Sequence, residues 1–460
     1  MKNITLKIIQ SVTGGQLYNA KGVMDVEVSA IVQDSRKIVD NCVFLCIKGE
    51  KVDGHSYAKQ VLENGALCVI CERNMPELTG PYLVVDSVLK ATQEIAEYYR
   101  KGLDIKVVGV TGSVGKTSTK EFISAVLSKR YKVHKTKGNY NNQWGVPFTI
   151  FGIDETSEVA VIEMGISDMG EMDELARMAR PDIAVITCIG ESHLEFFKTR
   201  DGILQAKSEI FNYMKPNGAI ILNGDDDKLA TVKTIKGIKP EFYGLTAMND
   251  VSAENIDDKG LDGSDFNLVI RDGGGKMSLR VSVPVPGRHN IYNALAAASV
   301  GLKMGVSPLE IRAALAEMKN AEGRGNIINT GKYMILDDCY NAAPRSVESS
   351  IDLLMKMPGR KVAILGDMLE LGDNSDKFHF RVGQYAGKAG VDVLICVGSS
   401  SEKTFMGAKM TTDKQVELMR NAGECIQSLP SILHDGDSIL VKASNAMQFP
   451  TIVAALKEMK

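Results

Sequence analysis

Residues 111–120 (TGSVGKTSTK) follow the apolar run 105–110 and precede the helical segment EFISAVLSKR. A strand, a glycine-bearing turn and a helix in that order form a phosphate cradle, because backbone N–H groups and the positive end of a helix converge on an anion. Lys116 would reach the β- and γ-phosphates of a nucleotide, and Thr117 would offer its hydroxyl to Mg²⁺. Gly112, Ser113, Gly115 and Ser118 complete the loop. The spacing is a variant of G-x-x-x-x-G-K-[ST]: Val110 stands where the first glycine belongs, with Gly109 one residue earlier and Gly112 inside the turn. The plain alternative is a Gly/Ser turn capping an ordinary helix, and the ordered succession of elements argues against it.

A chain of 460 residues exceeds what one hydrophobic core sustains, and about one domain per ~150 residues predicts three. The formal net charge of -3, with 24% charged residues, gives no general nucleic-acid footprint, so anionic ligands must be met by local sites. The N-terminus lacks a sustained apolar stretch, and no window approaches the roughly 18 apolar residues of a membrane span. A cytoplasmic protein with no membrane span and no nucleic-acid partner is expected. Cys42/Cys46 and Cys68/Cys71 could be read as a zinc site, but both pairs lie in apolar runs (NCVFLCI, ALCVICE). Residues three apart on a strand point to opposite faces, so buried small hydrophobes are the better reading.

The order of patterns predicts an α/β protein of three domains. Residues 1–85 alternate short β-like runs with one helix after Asp53-Gly54-His55, and carry Asp34-Ser35-Arg36 at a strand end, where a turn with a solvated arginine is the ordinary reading. Residues 86–322 contain the P-loop. Strands are expected at 132–135, 159–163, 183–187 and 219–222 with helices between, which implies a parallel sheet with its ligands at the strand C-terminal ends. A β-hairpin around residues 273–275 is expected to decorate the edge of this domain. Residues 323–460 predict a Rossmann-like α/β domain, with strands at 333–336, 361–365, 391–397 and 438–441 and no G-x-G-x-x-G.

Each central strand end carries polar residues: Asn141 and Asn142 after the second strand, Glu163 at the third, His193 after the fourth, and Lys207 in the helix beyond. Glu163 with Thr117 could hold one Mg²⁺, and His193 with a further anionic ligand a second. A neutral lysine reacts with CO₂ to form a carbamate, which would make Lys207 that ligand. Spacing alone favours the ordinary reading of a structural histidine and a helix-surface lysine.

The segments TGSVGKTSTK, GNYNNQWGVP, IEMG, GESHLEFF, AKSEIF, GRHNIYNALAA, GRGN, DDCYNAAPRS and GDMLELG, in this order over nearly the whole chain, resemble the Mur ligases of peptidoglycan synthesis. The last two segments are most similar to the branch that joins D-Ala-D-Ala to UDP-N-acetylmuramoyl-tripeptide. The resemblance implies an N-terminal domain for the UDP-sugar, a central ATPase and a C-terminal ligase domain, with ATP and Mg²⁺ as cofactors; a monomeric chain is expected. It implies that Lys116 and Thr117 contact nucleotide and Mg²⁺, that Glu163 and His193 are metal ligands, and that Lys207 is carbamylated. It implies further that Asn290 lies beside the adenine, that Arg324 and Asp338 reach ATP from the C-terminal domain, and that Ser35, Arg36, Asn141, Asn142 and Asn341 meet substrate.

Three positions depart from the family pattern: Cys188 for an asparagine, Lys198-Thr199 for Gly-Ser, and Asn445 for an arginine near the C-terminus. Asparagine cannot hold a dipeptide carboxylate as a two-pronged cation does, which leaves Lys442 to take over or that recognition weak. The alternatives are a related ligase with another amino-acid or dipeptide donor, and a nucleotide-binding protein without catalysis; the joint presence of Glu163, His193 and Lys207 counts against the second.

Overall fold

The computed structural model describes residues 1–49, 52–320 and 323–459, and builds them around three sheets. The expected boundary after residue 322 lies outside the described residues.

The first sheet contains β1 (Gln16–Tyr18), β2 (Ile31–Val32), β3 (Val43–Leu45), β4 (Cys68–Cys71) and β5 (Tyr82–Val84), in the order β1-β5-β4-β3-β2. Its strands are parallel except where β1 runs against β5. Helix α1 (Leu6–Thr13) opens the chain, with Thr5 accepting from Ile8 N and Gly14 closing it at φ 65°; α2 (Ala58–Glu63) follows the turn at Asp53. The cysteines obey the period of a strand: Cys68 faces the core shared with Leu6 and Ile95, and Cys71 packs with Cys42 and Cys46 on the other side.

The second sheet has β6 (Lys106–Thr111), β7 (Val133–Lys135), β8 (Val159–Glu163), β9 (Ile183–Ile186), β10 (Ala219–Asn223), β11 (Glu241–Gly244), β12 (Val251–Asp258), β13 (Ser264–Asp272) and β14 (Gly275–Val283). Their order is β14-β13-β12-β11-β10-β9-β6-β8-β7. Strands β6 to β12 run parallel, and β12-β13-β14 add an antiparallel edge. The expected hairpin is therefore at that edge. The five residues of β8 are all buried, as a parallel strand covered on both faces requires.

Helices cover this sheet: α3 (Val88–Lys101), α4 (Lys116–Leu127), α5 (Gly145–Phe151), α6 (Glu171–Ala179), the short α7 (Leu194–Phe197), α8 (Arg200–Ser208), α9 (His289–Lys303) and α10 (Pro308–Ala316). The small residues of α9 let it approach α4 so closely that a Cβ on Gly301 would lie 2.6 Å from Val126 Cγ1. Arg100 locks α3 onto the domain from a nearly dry position, donating to Ala179 O at 3.0 Å and Leu103 O at 3.1 Å.

The third sheet, β15 (Asn326–Asn329), β16 (Met334–Asp337), β17 (Lys361–Gly366), β18 (Val393–Val397), β19 (Gln415–Met419) and β20 (Ser438–Lys442), is ordered β15-β16-β20-β17-β18-β19. All its pairs are parallel except β15 with β16. Helices α11 (Pro344–Met355) and α12 (Ser375–Ala389) pack on one of its faces. Strands β15 and β19, at the two edges, are additions to the sequence expectation. Among the described residues no helix is long and apolar enough to cross a membrane.

Candidate active site

Strand β6 lies between β8 and β9, with Val110 opposite Glu163 and Thr111 opposite Ile186, so the three strand ends finish level. The loop leaving β6 therefore opens beside Glu163 on one side and residues 187–193 on the other. Gly112 (φ 147°) is forced by that proximity, since a Cβ there would fall 1.9 Å from Thr187 Oγ1. Gly115 (φ 87°) precedes α4, which carries no side-chain cap and so keeps an open N-terminus for an anion. Ser113 fixes the facing loop by accepting from Gly190 N at 2.9 Å. Ser118, half-buried, follows on the first turn of α4.

Lys116 Nζ rests on Gly112 O at 2.9 Å, its pKa lowered by burial against the opposing pull of Glu163. Thr117 donates to Glu163 Oε1 at 3.1 Å, and Asn141 Nδ2 donates to the same oxygen at 2.7 Å. The other oxygen, Glu163 Oε2, is buried without a hydrogen-bond partner and has Lys120 Nζ 3.7 Å away. A buried carboxylate oxygen left in this state, next to a hydroxyl, fits the oxygen donors of a hard divalent cation. Lys120, absent from the sequence-based set, is itself buried and donates to Thr136 O at 2.8 Å.

Lys207 is 1% exposed on α8 and has no hydrogen-bond or ion-pair partner among the described residues. Burial, reinforced by Lys116, pulls its amine down to about 7. The helix-surface reading is excluded by that burial. His193 begins α7 in the left-handed conformation (φ 62°), and its Nδ1 lies 2.5 Å from Glu370 Oε2. The close approach of His193 holds the Glu370 carboxyl below its usual range, although Nδ1 is not aligned on the oxygen as a hydrogen bond requires. Among the described residues no three His, Cys, Asp or Glu side chains form a ready-made metal cluster.

Residues after 323 close over this floor. Arg324 Nη2 donates to Thr117 Oγ1 at 3.2 Å, its guanidinium lies 3.8 Å from the centre of the Tyr340 ring, and its Nε is buried without a partner. A cation stacked and only partly satisfied beside the P-loop is suited to an incoming phosphate. Asp338 is held by Lys442 Nζ at 2.5 Å and by Ser350 Oγ at 2.6 Å. Both Asp338 and Lys442 act electrostatically on His289 at the start of α9. Lys442, 2% exposed and also bound to Asn341 O at 3.0 Å, is thus engaged, which corrects the expectation that it could serve as a free cation.

Asn290 is buried, and its amide is tied to Pro286 O and to Asn293, which in turn accepts from Thr119 of α4, each at 2.8 Å. This chain of bonds sets the spacing between α9 and the P-loop helix. Asn142 also supports structure, its Oδ1 accepting from Gly145 N at 2.9 Å at the start of α5. Asn341 is exposed, with its Oδ1 on Ala342 N. Ser35 and Arg36 lie on the first sheet, in a turn after β2, and no hydrogen bond or ion pair among the described residues joins them to the P-loop. Both guanidinium prongs of Arg36 are on Asp34 at 2.9 Å, and that carboxyl is pulled to about 2 by them.

A cavity of about 500 Å³ opens between α7 and residues 368–375. Its walls include Glu195, Lys198, Glu370, Asp373 and Ser400, with Lys198 the cation among the described lining residues. Asn445 is outside these walls, donating to Tyr340 O at 3.2 Å. Cys188 Sγ faces Val114 O at 3.6 Å beneath the P-loop, where burial raises its thiol. Sequence reasoning missed Glu370 and Tyr340; the segments GDMLELG and DDCYNAAPRS mark the neighbourhood but not which side chain acts.

Comparison with known proteins agrees with this geometry. Three family models match in succession: the Mur ligase family, catalytic domain, over 27–110, the Mur ligase middle domain over 110–301, and the Mur ligase, glutamate ligase domain over 323–445. The chain is 35% identical to the UDP-N-acetylmuramoyl-tripeptide–D-alanyl-D-alanine ligase of Bacillus subtilis, over 99% of this chain and 98% of that one. A crystal structure of MurF from Acinetobacter baumannii superposes with a TM-score of 0.89 at 30% identity, covering 99% of each chain. MurF of Thermotoga maritima in complex with ADP gives 0.80 at 28% identity, covering 93% of this chain and 97% of that one. A P-loop enclosed by a second α/β layer, in a chain matched end to end by these relatives, belongs to the Mur ligase family and is MurF-like within it.

Proposed function

We propose that the chain is an ATP-dependent ligase that joins D-alanyl-D-alanine to UDP-N-acetylmuramoyl-tripeptide, a step in making peptidoglycan precursors. The observation that carries this reading is the contact of Arg324 with Thr117, which puts a cation from the third sheet on the P-loop of the second, in a chain matched along its length by ligases of that name.

In the proposed reaction the terminal carboxylate of the tripeptide attacks the γ-phosphorus of ATP, ADP leaves, and an acyl phosphate forms. The dipeptide amine then adds to the acyl carbon, the tetrahedral intermediate expels phosphate, and the nitrogen loses a proton as the amide forms. Lys116 and Arg324 offset the repulsion between carboxylate and triphosphate and stabilise the charge on the transferring oxygens. Asn141 orients Glu163, and Lys120 balances its second oxygen. The second α/β layer excludes water from the acyl phosphate.

Mg²⁺ fits the orphaned Glu163 Oε2 and the Thr117 hydroxyl; when bound it neutralises phosphate charge. Lys207 as a carbamate and His193 would hold a second cation. Carbamylation needs the neutral amine, which a buried lysine near pH 7 supplies: the nitrogen bonds to the carbon of CO₂ and a proton is released. The conversion also replaces repulsion between Lys207 and Lys116 with attraction. Ser35 and Arg36 are proposed to meet the uridine nucleotide, with Arg36 exchanging Asp34 for phosphate, and Asn290 and Asp338 to border the adenine nucleotide. Asn142 and Asn341 are proposed to meet the peptide substrate through their exposed edges. We divide the chain at 1–85, 86–322 and 323–460, and propose that it acts as a cytoplasmic monomer.

The test is phosphate release from ATP in the presence of UDP-N-acetylmuramoyl-tripeptide and D-Ala-D-Ala, singly and together. Release that requires both supports the reading. Release with the tripeptide and a different amine donor redirects it to a sister activity, and nucleotide binding without release removes it.

A further inference from the structure

We propose that Glu370 is a positioning residue for the cation site: the C-terminal domain delivers its carboxylate to Nδ1 of His193, and so couples domain closure to cation binding. The inference rests on the reading of His193 as a cation ligand. Histidines that bind metal commonly donate their other ring N–H to a carboxylate, which fixes the tautomer, aims the ring and makes the ligating nitrogen more basic. His193 Nδ1 lies 2.5 Å from Glu370 Oε2, an ion-pair contact in which the N–H is not aligned for a hydrogen bond; a small rotation of either side chain would align it, and a proton held on Nδ1 leaves Nε2 with a free lone pair. The carboxylate comes from a different sheet from the imidazole, so the pair exists only while the two domains are together.

The loop bearing Glu370 is built for presentation. Met368 N donates to Nε2 of fully buried His379, and Leu369 N to Ser444 Oγ, both at 2.9 Å. Just before them, Asp367 Oδ1 accepts from the backbone and hydroxyl of Ser401 at 2.7 Å. Glu370 itself is left-handed at φ 63°, a conformation a glutamate adopts only where its surroundings impose it. On the opposite side, Glu195 N donates to Glu370 O at 3.4 Å, and Gly372 (φ 58°) lies so close that a Cβ would come within 2.9 Å of Glu195 Cα. The loop thus seats its backbone on the turn that carries His193.

An ordinary interdomain ion pair is the plainer account, and at 48% exposure of the Glu370 side chain it would contribute little. Such a pair would not alter cation affinity, and the two accounts separate there. Mn²⁺ is titrated by electron paramagnetic resonance into the full-length protein with a non-hydrolysable ATP analogue. His193→Ala identifies which bound Mn²⁺ depends on the imidazole. Glu370→Ala should weaken that same Mn²⁺ by about 10–100-fold, the range for loss of a carboxylate behind a ligating histidine, while Glu370→Gln, which can still accept from Nδ1–H, should lose less. Unchanged Mn²⁺ affinity in both Glu370 variants, with loss in His193→Ala, overturns the proposal and leaves the cation site standing. Unchanged Mn²⁺ binding in His193→Ala removes the cation-ligand reading itself, and the proposal with it. Thermal unfolding confirms that the variants are folded; if Glu370→Ala is not, Glu370→Gln still decides by its Mn²⁺ affinity.

Discussion

Arg324 reaches Thr117 across 207 residues of sequence, with Nη2 3.2 Å from the hydroxyl that a P-loop offers to Mg²⁺. Arg324 thus brings a second cation to the loop that carries Lys116. Arg324→Ala and Lys116→Ala should each lower acyl-phosphate formation by at least about 10²-fold, the scale for loss of one charge-stabilising donor, without unfolding the chain. Hydroxylamine trapping of the acyl phosphate, alongside a thermal melt, checks this. Near-normal trapping in a folded Lys116→Ala protein would end the ATPase reading.

Lys207 has a folded-state pKa of about 7 against an unfolded reference of 10.5. Unmodified, it therefore disfavours the folded state fully below pH 7, and that penalty fades as pH rises toward the unfolded value. Lys207→Met, apolar and similar in length, should melt at a higher temperature than CO₂-depleted wild-type protein at pH 6 and should be inactive. Lys207→Ala should also be inactive, yet partly restored by a short carboxylic acid that stands in for the carbamate. Full activity of Lys207→Ala without added acid would make the lysine incidental.

The cation lining the interdomain cavity is Lys198. If the dipeptide carboxylate enters there, Lys198→Ala should raise KM for D-Ala-D-Ala by roughly tenfold, the scale of one exposed charged contact, with kcat changing less. A dipeptide with an amidated C-terminus should be insensitive to the substitution. The sequence points instead to residue 445, where an arginine would be expected to lower KM. Asn445→Arg and Lys198→Ala measured together separate the two placements: a lowered KM in the first locates the carboxylate near Tyr340, and a raised KM in the second locates it beside α7.

Asp182 is 5% exposed and caps the start of β6, accepting from Val107 N at 3.0 Å and pairing with Lys215 at 2.9 Å. Burial alone would raise its pKa; the bonds from Lys215 and Val107, with the nearby Lys106 charge, lower it on balance. A depressed folded-state value stabilises the protein above the unfolded carboxylate range and loses that contribution as pH falls through the folded value. Asp182→Asn should therefore lower the melting temperature at pH 7, with the difference from wild type shrinking toward pH 3. A constant difference over that range would show that the loss is one of packing.

Strand β8 was legible because a fully buried parallel strand is a continuous apolar run, and α4 because glycine, lysine and threonine follow a strand in a fixed order. The short elements were harder. Helix α1 has a Thr5 cap and a Gly14 stop, but only eight residues between them, and the edge strands β15 (NIIN) and β19 (QVELM) are too short and too irregular in their apolar positions for a periodicity to show. Lys207 reads in sequence as one more polar helical residue, because a charged side chain gives no sign that it lies on the buried face with Ile203 and Ala206.

The sequence by itself determined the P-loop, the alternation that builds the central and C-terminal sheets, and the presence of Glu163, His193 and Lys207 at or beyond strand ends, since each depends on local spacing. Tertiary structure alone decided that Lys207 is buried without a partner, that Lys442 is engaged by Asp338, that Asn290 holds helices together, and that Arg324 and Glu370 face Thr117 and His193. Those facts depend on how separate sheets meet. A contact between residues some two hundred positions apart is set by the packing of whole domains, and the residues on either side of each partner in the chain carry no record of it.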